Sequence, residues 1–211
     1  MERARKNTDR GTKNKERKKI ISIFCEGDKI EKKYFNELKK ELKNKTIIID
    51  VIPSKNDSSP KKIWDKIQEQ FKSQELSKEY GDEAWLVFDV ENKTPDPERT
   101  NQAKDIFEKC NNQTCFSAIS NPCFEVWYLL HFEPINENLV QSQIKNKIKK
   151  YKKNYCKEDG LNFNQDLCKK TEKAINNSRK RYKEANKDEN KFPENTSTQV
   201  HRLVERMKVR S

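Results

Sequence analysis

"IISIFCEGDKIEKKYF" (residues 20–35) decides how this chain is read. Five of its first six residues are apolar, which is the run of a strand buried on both faces. Glu26-Gly27-Asp28 follows at once. Ile30, Tyr34, Leu38 and Leu42 then recur every four residues, one face of a helix. Strand, acidic turn and helix in this order open an α/β unit.

The same grammar repeats downstream. "TIIIDVI" (46–52) is a β-branched strand, "PSKNDSSP" (53–60) a loop, and Ile63, Trp64, Ile67 and Phe71 mark a helix with Pro60 near its start. "EAWLVFDVE" (83–91) is a third strand ending in acids. The loop "NKTPDP" (92–97) leads to a helix carrying Ala103, Ile106, Phe107 and Cys110. "TCFSAIS" (114–120) is a fourth strand, and "NPCFEVWYLLHF" (121–132) an apolar helix opened by Asn-Pro. Alternation of this kind predicts a mainly parallel sheet flanked by helices over residues 19–134. Residues 1–18 lack apolar periodicity and read as a flexible basic arm. Beyond Pro134 no strand pattern recurs, and residues 135–211 read as a basic helical extension packed on the core. Its helices carry Val140, Ile144, Ile148 and Tyr151, then Leu167, Ala174, Ile175, Ser178 and Tyr182. The last carries Val200, Leu203, Val204 and Met207, with Thr196-Ser-Thr-Gln199 as a capping box before it.

The net charge of +12 is unevenly placed: +6 over residues 1–19, −5 over 20–140 and +11 over 141–211. An acidic centre between basic ends suits a metal-carboxylate site with arms that hold a polyanion. No apolar run approaches the roughly 20 residues of a membrane helix. The basic start lacks the apolar core of a secretory signal, and Glu2, Asp9 and Glu16 argue against a transit peptide. Six cysteines without a CxxC pair, and only His131 and His201, argue against zinc. Reduced, buried cysteines at 25 and 123 fit a cytoplasmic protein.

In open α/β sheets ligands collect beyond the carboxyl ends of the strands. If the first and third strands are central and parallel, Glu26, Asp89 and Glu91 converge there, with Asp89 and Glu91 on one side of their strand. Clustered carboxylates repel, and a hard divalent cation, Mg²⁺ or Mn²⁺, resolves the repulsion. Gly27 allows a tight turn beside a metal or phosphate. Acids after strands also serve as helix caps, and Asp28 stands where a cap would stand for the helix near Ile30. Glu125 lies within the apolar "SNPCFEVWYLL". It is a fourth acid facing the site, an acid on the exposed face of an amphipathic helix, or a buried acid paired with an Arg or Lys. His131, alone in an apolar helix, reads as a hydrogen-bonded core histidine.

These residues resemble the RloB-like family. "FCEGDKIEKKYFNEL" is similar to its CEGxxTExxYFxxL opening, "WLVFDVE" to its W-x-VFDxD strand, and "SNPCFEVWYLLHF" to its SNPCFELWLLLHF block. "YKK" (151–153) resembles a Y-x-K element, and "STQVHRLVE" (197–205) the ST-x-V-x-x-LVE close. Ile30 stands where the family usually has Thr, although Glu31 follows as it does there, and the longer Glu91 stands where it has Asp. The resemblance implies a Toprim-like α/β domain with a helical C-terminal extension. It implies a bacterial protein of abortive infection against phage, with an ABC or SMC-like ATPase as partner. By the same similarity Glu26 is the general acid/base, and Asp89 and Glu91 hold the metal.

The expectation is a Mg²⁺-dependent nuclease acting on DNA or RNA, tRNA included. Glu26, Asp89 and Glu91 bind the metal, with Glu125 as a further acid. Lys152, Lys153, Arg179 and Arg181 hold the backbone, and His201 contacts phosphate or donates a proton. The alternative is a non-catalytic module that binds nucleic acid or a protein within an ATPase-containing complex. A phosphotransferase is disfavoured, since no GxxxxGK[ST] loop is present and the chain holds four glycines.

Overall fold

A computed structural model describes residues 17–27, 29–43, 47–53, 60–90, 97–110, 114–153, 155, 165–188 and 190–209. Four parallel strands form the body of one sheet: β1 (Lys19–Cys25), β2 (Ile47–Pro53), β3 (Glu83–Asp89) and β4 (Cys115–Asn121). A two-residue strand, β5 (Ser197–Thr198), adds antiparallel to β4, giving the order β2-β1-β3-β4-β5. Eight helices lie among the described residues: α1 (Ile30–Leu42), α2 (Pro60–Lys72), α3 (Pro97–Cys110), α4 (Glu125–Leu130), α5 (Gln141–Tyr151), α6 (Gln165–Lys169), α7 (Thr171–Asn186) and α8 (Val200–Lys208).

The unbroken apolar runs of β1 and β3 follow from burial on both faces. Ile21, Ile23, Cys25, Trp85 and Val87 face one core, shared with α1, α4, α5, α7 and α8. Phe24, Ala84, Leu86 and Phe88 face the other, beneath α2 and α3. The period of two along each strand assigns alternate residues to opposite layers. Leu203, Val204 and Met207 of α8 belong to the first core, so the C-terminal third builds the same core as the sheet.

β5 corrects the expectation that no strand follows Pro134. Thr196 does not open a capping box: its Oγ1 accepts from Leu139 N at 2.8 Å. Gln199 turns inward instead, its Oε1 accepting from Ser117 Oγ at 3.2 Å and from Ile119 N at 3.4 Å. A two-residue strand without a hydrophobic run has no signal in sequence; its pairing partner supplies it.

His131 is a core histidine. Its Nδ1–H donates to Trp127 O at 2.9 Å, and burial pushes its pKa down to about 4. The ring packs edge-on to Trp127 and Tyr34. Cys25, Cys110, Cys115, Cys123 and Cys168 take part in no disulfide. No helix among the described residues is long and apolar enough to cross a membrane.

Candidate active site

The chain runs from β1 to β2 on one side, then returns to place β3 on the other side of β1. The order reverses between β1 and β3, and at such a switch point a crevice opens beyond the strand ends. Glu26 directly follows β1, and Asp89 ends β3. The backbones hold them in register: Glu26 N donates to Val87 O at 2.9 Å, and Asp89 N donates to Glu26 Oε2 at 3.2 Å. The Glu26 carboxylate is thus anchored on the backbone of the neighbouring strand.

Asp89 is the electrostatic centre. It is 9 % exposed, and one carboxylate oxygen, Oδ1, is buried without a hydrogen-bond partner. Burial, followed by the charges of Glu31, Glu125 and Glu26, raises its pKa well above the ordinary carboxylate range. The Phe124 backbone N–H opposes this by donating to the carboxylate. Four acids from four separate segments therefore meet, with Asp89 at their centre.

In the sequence, Glu31 stands out only as part of the family pattern, with no site role. It lies in the first turn of α1 and is 8 % exposed. Its carboxylate folds over Gly27: a Cβ on that glycine would lie 2.1 Å from Glu31 Oε2. The missing side chain at 27 thus makes room for an acid. The usable signal is an acid one helical turn after an acid-glycine pair.

Glu125 begins α4 and is 1 % exposed. Lys145 Nζ lies 4.0 Å from its Oε1, which has no hydrogen-bond partner. The Tyr155 hydroxyl is also buried and unbonded, and burial together with the Glu125 charge holds its pKa high. Burial, then Glu125 and Asp89, likewise pushes the Cys123 thiol up. Glu125 therefore lies near Asp89 and also has a lysine opposite.

Glu91 and Asp28 lie outside the described residues. Among the described residues no group of three or more His, Cys, Asp or Glu is arranged to hold a metal ion by itself. The donor chemistry is nevertheless that of a hard cation: carboxylate oxygens only, two of them buried and unbonded, crowded by like charge. Mg²⁺ is commonly held by one or two carboxylates, with water completing the shell.

The basic residues divide. Lys153 is exposed and Lys152, which caps α5, is partly so. Arg179 is exposed and pairs with Glu205. The structure buries Arg181 and His201, where phosphate contacts were expected. Arg181 Nε donates to Thr196 O at 2.7 Å, and Nη2 to Glu137 O at 3.0 Å and Asn138 Oδ1 at 2.8 Å. That guanidinium ties α7 to residues 137–138 and to residue 196. His201 Nδ1 lies 2.9 Å from Ser178 Oγ and 3.1 Å from Thr198 O, and burial lowers its pKa to about 4. Buried and neutral near pH 7, it carries no charge to pair with phosphate.

No curated protein and no solved structure matches the chain. A family model described as RloB-like protein does, over residues 21–207, and the chain belongs to the RloB-like family.

Proposed function

We propose that this protein is a Toprim-like, metal-dependent nuclease that hydrolyses nucleic-acid phosphodiesters, acting in bacterial defence against phage beside an ATPase partner of the ABC or SMC-like type. The observation that carries the reading is the crowding of Glu26, Glu31 and Glu125 around the buried Asp89 at the switch point of a parallel sheet. Uncompensated burial of such a cluster is costly, and a cation there removes the repulsion. Bound, Mg²⁺ or Mn²⁺ supplies an activated water and neutralises charge developing on the phosphate.

The chain's own residues divide the remaining work. Asp89 and Glu91 are the proposed ligands. Glu26, partly exposed and anchored through Oε2, takes a proton from the attacking water. Glu31 and Glu125 set the negative potential that keeps Asp89 basic enough to bind a cation. Lys152 and Lys153 draw the polyanion to the strand ends, with Arg179 as a weaker contributor because Glu205 already pairs with it.

The test is cleavage of plasmid, single-stranded DNA and total tRNA by wild type and Glu26→Gln, with Mg²⁺, Mn²⁺ or EDTA. The proposal requires products that disappear with EDTA and with Glu26→Gln. A second reading, a binding module without catalysis, is favoured by the lack of a closed three-ligand set among the described acids. Under that reading Glu26→Gln and Asp89→Asn are silent in cells, while charge reversal at Lys152 and Lys153 abolishes activity.

A further inference from the structure

Tyr151 ends α5, and its ring lies flat on Phe132, with centroids 4.8 Å apart and planes 7° from parallel. Yet Tyr151 is 44 % exposed. Tyr80, the other large aromatic left exposed among the described residues, has the Arg17 guanidinium 4.5 Å over its ring. The outer face of Tyr151 carries no such cation among the described residues.

Lysines from α5 and from the start of α7 contact Phe132 and Glu133 beside this pair. Lys170 Nζ stands 5.0 Å over the Phe132 ring, and Lys173 Nζ donates to Phe132 O at 2.7 Å. Lys147 Nζ donates to Glu133 Oε1 at 3.1 Å, and Lys150 lies close enough to lower the Glu133 pKa. Glu133 in turn accepts from the Tyr151 hydroxyl at 2.6 Å. A flat, half-open aromatic face backed by a second ring, with lysines close by, is an arrangement on which unpaired bases stack while phosphates meet the cations.

We propose that Tyr151, backed by Phe132, is a base-stacking platform for single-stranded nucleic acid. This inference rests on the reading that the protein acts on nucleic acid, and it narrows the substrate class. A base inside a duplex already has both faces covered, so only an unpaired or extruded base can occupy the platform. The location agrees. Lys145, which faces Glu125, lies six residues earlier on the same helix, about 9 Å by the helical rise. A strand stacked on Tyr151 would reach the acid cluster within a few nucleotides.

The test is binding of fluorescent oligo(U) of about 12 nucleotides, a usual single-strand footprint. It is run in EDTA so that cleavage plays no part. Tyr151→Ala is expected to weaken binding about tenfold or more, and Tyr151→Phe to bind as wild type. An abasic strand of equal length should bind all three alike, and a duplex should bind wild type more weakly than oligo(U) does. In parallel, 5-iodouridine in the strand should photo-crosslink wild-type protein at Tyr151 or Phe132, which needs no variant to fold. Equal binding by Tyr151→Ala and wild type, or crosslinks elsewhere only, overturns the platform and leaves nucleic-acid binding intact. Absence of any oligo(U) binding by wild type overturns the platform and the nucleic-acid reading together.

Discussion

Replacing Asp89 by Asn should stabilise the protein near neutral pH, the reverse of what removing a buried charged partner usually does. Burial and the charges of Glu31, Glu125 and Glu26 hold its pKa well above the ordinary carboxylate value of about 3.9. The folded protein therefore binds a proton that the unfolded chain has released. Stability from this group is full below pH ~3.9 and is lost as pH rises toward the raised value. The loss runs at up to about 1.4 kcal/mol per pH unit across that window. Asn resembles the protonated acid at every pH. Its oxygen can still accept from the Phe124 N–H. The variant should match wild type near pH 4 and exceed it increasingly as pH rises toward neutrality. For a chain of this size each 1 kcal/mol of that difference is roughly 2–4 °C in Tm.

Urea unfolding at a series of pH values, in EDTA, measures this directly. The difference between the two proteins isolates Asp89 from other groups that titrate in the same range. Adding Mg²⁺ should then raise wild type, by about 2.7 kcal/mol at a hundred times Kd, and raise Asp89→Asn far less. If the two curves run parallel in EDTA, the electrostatic account of the cluster is wrong. If Mg²⁺ stabilises both equally, Asp89 is not its ligand.

Other consequences are open to measurement. Gly27→Ala sets a Cβ 2.1 Å from Glu31 Oε2 and must swing that carboxylate away from the cluster. It should cost about 1–3 kcal/mol in EDTA by overpacking and weaken Mg²⁺ stabilisation, both read by thermal melts. Arg181→Met removes hydrogen bonds to Thr196 O, Glu137 O and Asn138 Oδ1. It should lower stability by about 3 kcal/mol in urea while leaving the nucleic-acid affinity of the folded fraction unchanged. His131 and His201, both lowered to about 4 by burial, bind fewer protons folded than unfolded. Each contributes stability that is full above pH ~6.5 and falls by about 1.4 kcal/mol per unit toward pH 4. His201→Asn should flatten that acid limb. Charge reversal at Lys152 and Lys153 should reduce the salt dependence of nucleic-acid binding, by about one unit of slope for each phosphate that the variant no longer neutralises.

What could be read from the sequence alone is whatever a segment states by its own periodicity. β1, β3 and β4 and the helices after them were legible because short unbroken apolar runs mark the strands and apolar residues recurring at three or four mark the helices, whatever lies across the fold. Glu26 and Asp89 were legible too, since a strand that ends in an acid announces its end. The tertiary structure decided the rest, because it turns on partners far along the chain. β5 exists only because β4 offers it an edge. Arg181 read as a contact to the nucleic-acid backbone, whereas residues 137, 138 and 196 close on its guanidinium. Glu31 joined the cluster through space, folding over a glycine that has no side chain to exclude it. Periodicity is a property of the chain, whereas burial of a charge is settled by which groups arrive to meet it.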